Sequence, residues 1–379
     1  MERNVAGRIE VIGHRNFKEA HEELFGLVSF ASGISIYAIV GPTGAGKSRF
    51  VEELEAALTG PVKRENVVEL FRHFLYTECV TQSDGFFLWS DYYTRSLMEL
   101  NEPCIDQKRR PTSEEMAFLH GDTWPRSITK RDAALRLAFE NTLRRRRVKW
   151  LAMDDAHVLT YVRREKAYLG QAETLKSLAN TSHVILILSG TYQLLDLLGL
   201  NSQLRRRTHV IHLAPYDGTD EEDMKEFSKT LRTLINKLKV QLEMNFGNFA
   251  AFIFTNSQGC IGAAHDLVIR ASTFAHIAAK KGGENVITAS MLEKCQLSDE
   301  DRNTLVDDIR IGRDKMMRFK QENEKEKSSR LKSTEPQKEG VIKDVPKKKK
   351  GRRVGRRSPI RDPVLPHKNQ RNKPKIGEA

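Results

Sequence analysis

Short apolar runs alternate with helix-like stretches through the first part of the chain. Apolar and β-branched residues cluster in runs that predict strands at residues 34–40, 74–80, 148–154, 184–191 and 210–213. The stretches between these runs carry apolar residues three and four positions apart, which predicts amphipathic helices. Strands that alternate with helices predict a parallel sheet in a three-layer α/β sandwich, whose ligand lies at the carboxyl ends of the strands.

The helix predicted after residue 129 ends in four consecutive arginines. Leu135, Phe139 and Leu143 lie on one face of this helix, and residues 144–147 are all Arg. Cations at a helix C-terminus are stabilised by the helix dipole. The arginine run therefore has two open interpretations, a solvated helix end or a contact with DNA.

From residue 217 the pattern changes to helices alone. Thr219 and Glu222 have the spacing of a capping box at the start of an amphipathic helix. Residues 328–379 are rich in Lys, Arg, Pro, Ser and Gly, a composition typical of disorder. The predicted organisation is a lead-in helix (1–33), an α/β core (34–216), a small all-helical lid (217–297), a charged helix (298–327) and a disordered basic tail (328–379).

Composition narrows the class of protein. The chain has 379 residues, of which 39% are hydrophobic, and this suffices for two domains with at least one sizeable core. No apolar run reaches the length of a membrane span, so no membrane association is expected. The four cysteines form no C-x-x-C pair and are expected to be reduced thiols, which suits a cytoplasmic protein. Of the net charge of +13, +11 falls in residues 341–379, so the tail is predicted to meet a polyanion.

A glycine-rich segment follows the first predicted strand. Residues 41–48 read GPTGAGKS, which matches the phosphate-loop pattern G-x-x-x-x-G-K-[ST] at every position. Glycines allow such a loop to turn its backbone N–H groups towards phosphate oxygens, and the following helix adds its dipole. Lys47 is expected to reach the β- and γ-phosphates of ATP, and the Ser48 hydroxyl to bind Mg²⁺. The predicted nucleotide-binding residues are Gly41, Pro42, Thr43, Gly44, Ala45, Gly46, Lys47 and Ser48.

Two carboxylates, Asp154 and Asp155, end the strand predicted at residues 148–154. In nucleoside triphosphatases of the phosphate-loop type, the first carboxylate holds Mg²⁺ directly or through water, and the second orients the attacking water. Two acids at a strand end can also form an ordinary turn. Their pairing with a matched phosphate loop favours the ATPase interpretation, with Asp154 and Ser48 on the metal and Asp155 as a catalytic residue.

The order of these blocks resembles that of the AAA+ ATPases. The chain has a phosphate loop, an acidic strand end, a strand ending in hydroxyls, arginines before a short strand, and then a helical lid. The segments DDAHVL (154–159), LKSLAN (175–180), LILSGT (186–191) and QLRRRTHVIHLAPY (203–216) resemble the TnsC/TniB group of transposition regulators, the ATPases of Tn7-like transposons. The resemblance covers roughly residues 8–297.

The resemblance implies an ATP-dependent regulator of DNA transposition. Such proteins form homo-oligomeric rings or helical filaments around double-stranded DNA and connect a target selector, either a protein or an RNA-guided complex, to the transposase. The resemblance further implies a bacterial, DNA-associated protein with ATP and Mg²⁺ as cofactors. Arg207 best matches the catalytic arginine that reaches a neighbouring subunit's nucleotide, with Arg206 as the alternative, and Ser189 or Thr191 falls at the polar sensor position.

Two positions depart from the family's pattern. Asp155 stands where most AAA+ proteins have Glu, and Gly262 stands where many lids carry an arginine after a Gly-x-x spacing. A shorter carboxylate and a missing second sensor both favour slow, assembly-dependent hydrolysis. The family's DNA contacts come from the region between the second and third strands, which here contains Arg126, Lys130 and Arg131. Cations there can bind DNA phosphates or lie on an ordinary helix surface.

Two other functions share the same core. A signalling or scaffold ATPase would gate partner binding without DNA. A helicase loader or replication initiator usually adds a DNA-reading domain after the lid, and the low-complexity end of this chain predicts none. The leading hypothesis is therefore a DNA-transposition ATPase.

Overall fold

The computed structural model describes residues 13–29, 33–59, 71–108, 130–163 and 165–334. The chain divides into two units, Met1–Ser328 and Ser329–Ala379, and the described part of the second unit is the end of one helix. Several sequence predictions lie outside the described residues. These are Arg126, the side chains of Lys130 and Arg131, and the basic tail from residue 335.

Five parallel strands form the central sheet, in the order β2-β3-β4-β1-β5. They are β1 (Ile36–Val40), β2 (Phe74–Glu78), β3 (Trp150–Asp154), β4 (Ile185–Gly190) and β5 (Thr208–His212). The described helices of this part are α1 (Arg15–Ser29), α2 (Lys47–Thr59), α3 (Trp89–Glu99), α4 (Lys130–Arg145), α5 (Glu165–Ser182), α6 (Leu194–Gly199) and α7 (Ser202–Arg207), with 3₁₀ turns at Ile105–Gln107 and Ala156–Thr160.

Helices cover both faces of the sheet, as the apolar runs predicted. In β1, Tyr37 and Ile39 join a buried cluster with Phe50 and Leu54 of α2. The alternate residues of β1 join a second cluster with the apolar faces of α3 to α6. Because successive side chains of a strand point to opposite faces, a fully buried strand must be apolar throughout. The three-layer α/β prediction is confirmed.

A helical region follows the sheet. It contains α8 (Glu221–Leu238), α9 (Phe246–Ser257), α10 (Ile261–Lys280), α11 (Ala289–Cys295) and the long α12 (Asp299–Thr334). The region is not all helical, because β6 (Gln241–Leu242) and β7 (Val286–Ile287) pair in parallel. Two-residue strands leave no periodic signal, which is why the sequence did not predict them. α12 also continues to Thr334, beyond the predicted end at residue 327.

The start of α8 corrects the predicted capping box. The N-cap is Asp220, whose carboxylate accepts hydrogen bonds from the backbone N–H groups of Glu222 and Asp223. Thr219 instead donates its hydroxyl to Asp217 at 2.7 Å. A carboxylate at an N-cap both accepts these bonds and interacts favourably with the helix dipole. Asp220, and not Thr219, therefore caps the helix.

The arginine run at residues 205–207 belongs to a helix that the sequence did not predict. These residues form the last turn of α7, and β5 begins at Thr208 directly after them. Asn201 caps α7 by accepting a hydrogen bond from the backbone N–H of Gln203 at 2.8 Å. A helix of six residues is too short for a periodic pattern. Within the described residues, every helix is too short or too polar to cross a membrane.

We expect His212, at the end of β5, to make stability depend on pH. Its ring nitrogen lies 2.9 Å from the Tyr192 hydroxyl. Burial, together with the positive charges of Lys320 and Arg313, lowers the pKa of His212 from 6.5 to about 4. The folded state thus keeps the ring neutral, while the unfolded chain takes up a proton near pH 6.5. The contribution of His212 to the free energy of unfolding is therefore complete above pH 6.5 and is lost as the pH falls towards 4.

The His212→Gln variant should therefore lose less of its melting temperature than the wild type between pH 7 and pH 4.5. The exposed His183→Asn change serves as the control and should leave the wild-type pH dependence unchanged. Thermal melts across this pH range measure the effect. Identical pH profiles for His212→Gln and the wild type would contradict the assignment.

Candidate nucleotide site

The phosphate-loop sequence joins β1 to α2 at the carboxyl edge of the sheet. Gly44 and Gly46 in this loop both have positive φ angles, +77° and +91°. Lys47 is the first residue of α2 and is 9% exposed. Its ammonium group donates hydrogen bonds to the carbonyl oxygens of Gly41, at 3.1 Å, and Pro42, at 2.9 Å. The lysine thus closes the loop on itself, with the exposed Ser48 beside it on the first turn of the helix.

Burial shapes the electrostatics around Lys47. Loss of solvent lowers the pKa of Lys47, and the carboxylates of Asp154 and Asp155 oppose that shift. A desolvated ammonium group gains most from a nearby anion, because the interior screens charges less than water does. The position is therefore suited to bind phosphate oxygens.

Asp154 and Asp155 end β3 but point their carboxylates to different surroundings. The Asp154 side chain is 4% exposed, and it accepts hydrogen bonds from the Tyr76 hydroxyl at 2.5 Å and the Asp155 backbone N–H at 3.0 Å. Asp155 adopts a left-handed conformation, with φ of 51°, and its side chain is 47% exposed. This turn separates a fixed carboxylate from one that is accessible to solvent. Tyr76 had no motif to identify it, and the pairing of β2 with β3 brings it to Asp154.

The end of β4 distinguishes the two sensor candidates. Thr191 lines the cavity beside the phosphate loop, together with His157. Ser189 is fully buried and is not among the residues that line this cavity. The Thr191 hydroxyl and the His157 Nδ1 are buried without a hydrogen-bond partner among the described residues. Buried polar groups normally have a partner, so these two atoms, like the Ser189 hydroxyl, have hydrogen-bonding capacity left that a ligand or water could use.

The lid region touches the phosphate loop through a backbone hydrogen bond. The Ala263 N–H at the start of α10 donates to the Gly44 carbonyl at 3.0 Å. A Cβ on Gly262 would lie 2.6 Å from that same oxygen. Only glycine allows this approach, which gives a physical reason why no arginine stands at position 262.

The cavity between the sheet edge and the lid has a volume of about 660 Å³ and two chemically different halves. The polar half contains the phosphate loop, Asp155, His157 and Thr191. The other part of the lining contains the apolar residues Phe17, Leu231, Leu234, Ile261 and Ile269, together with His14, Thr230, His265 and Asp266. Burial, followed by the charge of Arg15, lowers the pKa of His14 to about 4, so that its ring is neutral near pH 7. An apolar slot beside a phosphate-binding loop is suited to a planar base.

The three arginines of α7 lie at the opposite edge of the sheet. Thr208 pairs with Ile36 at the start of β1, whereas the phosphate loop begins after Val40 at its end. Five strand residues span about 16 Å. Arg207 donates a hydrogen bond to the Asn180 side chain, and Arg206 is exposed. Neither arginine is placed to reach the phosphate loop of its own chain.

Comparison with known families finds a match to an AAA domain. A family model with that description matches residues 31–198. None of the curated proteins compared with the chain matches it. The five-stranded parallel sheet, the phosphate loop and the helical region after them form an AAA+ P-loop fold. Nothing in these matches is specific to the TnsC/TniB group.

Three solved structures of archaeal proteins illustrate the structural similarity. Cdc6p from Pyrobaculum aerophilum is 17% identical, with a TM-score of 0.45 over 74% of this chain and 65% of that chain. A Walker-type ATPase of Pyrococcus abyssi is 13% identical, with a TM-score of 0.42 over 67% and 66%. The ADP form of the Aeropyrum pernix ORC2 protein is 14% identical, with a TM-score of 0.44 over 78% and 70%. The chain spans just under two thirds of the first two structures, and similarity at this level carries no functional argument.

Removing the Tyr76 hydroxyl should weaken the metal side of the site. In Tyr76→Phe, Asp154 loses a donor that fixes its carboxylate, and such outer partners are worth about 10- to 100-fold in metal affinity. Titration of Mg²⁺ in a nucleotide-binding assay should show a higher half-saturating concentration. Tyr161→Phe, which removes an exposed hydroxyl bonded to Gln193, is the control. Equal Mg²⁺ requirements in the two variants would contradict this role for Tyr76.

Proposed function

We propose that this protein is an ATPase that binds ATP with Mg²⁺ in the cavity between the sheet and the lid. The observation that carries the proposal is the convergence of Lys47, Asp154 and Asp155 beside the phosphate loop, where β1 and β3 end at the same edge of the sheet. The apolar residues that line the same cavity support binding of the base. The Thr191 hydroxyl and the His157 Nδ1, which have no hydrogen-bond partner among the described residues, support a polar ligand.

The residues present fit a Mg²⁺–triphosphate group. Asp154 and the Ser48 hydroxyl are oxygen ligands of the kind that Mg²⁺ prefers, and the Tyr76 hydrogen bond orients the carboxylate. When bound, Mg²⁺ supplies positive charge to the β- and γ-phosphates. Lys47 neutralises the same oxygens from the loop side.

Asp155 is the residue that we assign to the attacking water. Its exposed carboxylate faces the cavity 3.8 Å from the His157 Nδ1. An aspartate reaches one methylene less far than a glutamate, so the water is held less closely and hydrolysis is slow. We assign the polar sensor to Thr191 rather than Ser189, because Thr191 is among the residues that line the cavity.

Hydrolysis requires an arginine from a second copy of the chain. Arg207, with Arg206 as the alternative, lies at the sheet edge opposite its own phosphate loop. An arginine supplied by a neighbouring subunit neutralises charge on the transferring phosphoryl group and increases the rate by about 10³- to 10⁵-fold. Turnover would then report whether an oligomer has formed.

The role that we propose for this oligomer is regulation of DNA transposition. ATP would drive assembly on double-stranded DNA, and the assembly would connect a target selector to the transposase. The sequence blocks shared with the TnsC/TniB group support this assignment, as does the net charge of +11 in residues 341–379. Arg126, Lys130 and Arg131 are the proposed DNA contacts of the core.

Two substitutions separate ATP binding from hydrolysis. Lys47→Ala removes charge-assisted hydrogen bonds worth about 1.5–3 kcal/mol, so ATP affinity should fall about 10- to 100-fold. Asp155→Asn should retain ATP binding and lower turnover about 10²- to 10⁴-fold, the usual contribution of a general base. Fluorescent-nucleotide titration and a phosphate-release assay measure the two effects. Normal turnover in Asp155→Asn would remove Asp155 from the catalytic role.

Assembly on DNA tests the transposition proposal. With a non-hydrolysable ATP analogue and duplex DNA, electron micrographs should show rings or filaments. A chain shortened to residues 1–334, which keeps all of α12, should still bind duplex DNA with an affinity that falls as salt rises. If the full chain stays monomeric under these conditions, the proposal is wrong. If only the full chain binds DNA, the tail is the contact and the scaffold interpretation of the core is favoured.

A further inference from the structure

The long helix α12 returns from the lid region to pack against the sheet domain. Met316 and Phe319 are buried in the cluster that also contains residues of α5 and α6. The Lys315 ammonium group binds Asp196 of α6 at 2.6 Å, and Arg313 binds Asp217 at 3.0 Å, just before α8. One helix therefore contacts both the sheet domain and the segment that leads into the lid.

Gly312 of α12 lies directly against Tyr192, the residue after Thr191. A Cβ on Gly312 would lie 2.0 Å from a ring carbon of Tyr192, which is 2% exposed. Glycine in the middle of a helix is unfavourable. At position 312 it is needed because any larger residue would place its Cβ inside the Tyr192 ring. The register of α12 along the sheet domain is fixed at this point.

From that point, α12 reaches the arginine helix α7. The Arg205 side chain is 10% exposed and donates hydrogen bonds to the Gly199 carbonyl, at 2.7 Å, and to Glu322 of α12, at 2.9 Å. Its guanidinium group also lies over the ring of Phe319, 5.6 Å from the ring centre. Glu322 and Phe319 thus hold Arg205 from two directions, two positions before Arg207.

The opposite side of α7 is held by α5. Asn201 donates to Glu173 at 2.6 Å, Lys176 donates to Gln203 at 3.0 Å, and Arg207 donates to Asn180. A helix of six residues has little stability of its own, since helix formation requires a costly first turn. Its orientation is therefore set by these contacts with α5 and by those with α12.

We propose that α12 positions the arginine that acts on a neighbouring subunit. Glu322 is the residue of α12 that does so, through its hydrogen bond with Arg205 of α7. The inference rests on the proposed role of Arg207, or Arg206, in a second subunit. By fixing Arg205, Glu322 determines the direction in which the next two arginines leave the surface. Glu322 acts through Arg205 and touches no nucleotide, so it is a positioning residue.

The test uses the full chain with Glu322→Lys, which places a cation beside Arg205. Glu322 is 56% exposed, so this variant should fold and bind ATP with the wild-type affinity. Its turnover with duplex DNA should fall about 10- to 100-fold, as expected for a displaced catalytic group. Glu324→Lys, the same charge change at an exposed site on the same helix, is the control and should leave turnover unchanged. A milder variant, Glu322→Gln, should give a smaller loss.

A mixing experiment separates positioning of the arginine from general damage. Asp155→Asn subunits should hydrolyse ATP about 10²- to 10⁴-fold more slowly than the wild type but keep an intact arginine helix. Added to Glu322→Lys subunits, they should restore turnover several-fold, because each intact nucleotide site then receives an arginine from its neighbour. Arg207→Ala and Arg206→Ala subunits, mixed in the same way, are the benchmarks.

The outcomes distinguish this inference from the proposed function. Suppose that an arginine variant has low turnover, which Asp155→Asn subunits restore. If Glu322→Lys then has normal turnover, or low turnover that these subunits do not restore, the positioning role is wrong and the proposed function stands. If neither arginine variant is slow, both the trans-acting arginine and the role of α12 are wrong. Rescue of both Glu322→Lys and an arginine variant supports the inference.

Discussion

Parallel pairing of β1, β3 and β4 is the constraint on which the nucleotide site depends. In this register Val40 pairs with Gly190, and Met153 pairs with Leu188, so the three strands end together. The phosphate loop, the carboxylates after Met153 and the Thr191 hydroxyl therefore emerge at one edge of the sheet. A displacement of one strand would separate them. The buried clusters on both faces of the sheet hold this register in place.

The site is completed by segments far from the sheet in the chain. The backbone contact between Ala263 and Gly44 brings the lid against the phosphate loop, and His14 and Phe17 close the cavity from α1. Enclosure also explains the electrostatics, because the same burial that lowers the pKa of Lys47 strengthens its attraction to a phosphate. The cavity is therefore a joint product of the sheet domain, the first helix and the lid region.

In the proposed function, the arginine helix α7 connects this cavity to assembly. Because α7 lies at the start of β5, its arginines are about one strand length from their own phosphate loop. If Arg207 or Arg206 takes part in hydrolysis, as we propose, it must therefore act on the nucleotide of another subunit. The contacts of α12 with Tyr192 and Arg205 make the orientation of α7 depend on a helix that also binds Asp217, at the entrance to the lid region.

The sequence by itself determined the strands, most of the helices and the position of the phosphate-loop motif, because apolar periodicity and the GPTGAGKS pattern are local. It mistook Thr219 for the cap that Asp220 provides and left Ser189 and Thr191 undecided, since neighbouring polar residues differ only in what the fold places around them. Only the tertiary structure revealed the Tyr76 bond to Asp154, the glycine contact at Gly262 and the hold of α12 on α7. These contacts join distant positions, 117 residues apart for Arg205 and Glu322, and no pattern of neighbouring residues encodes them.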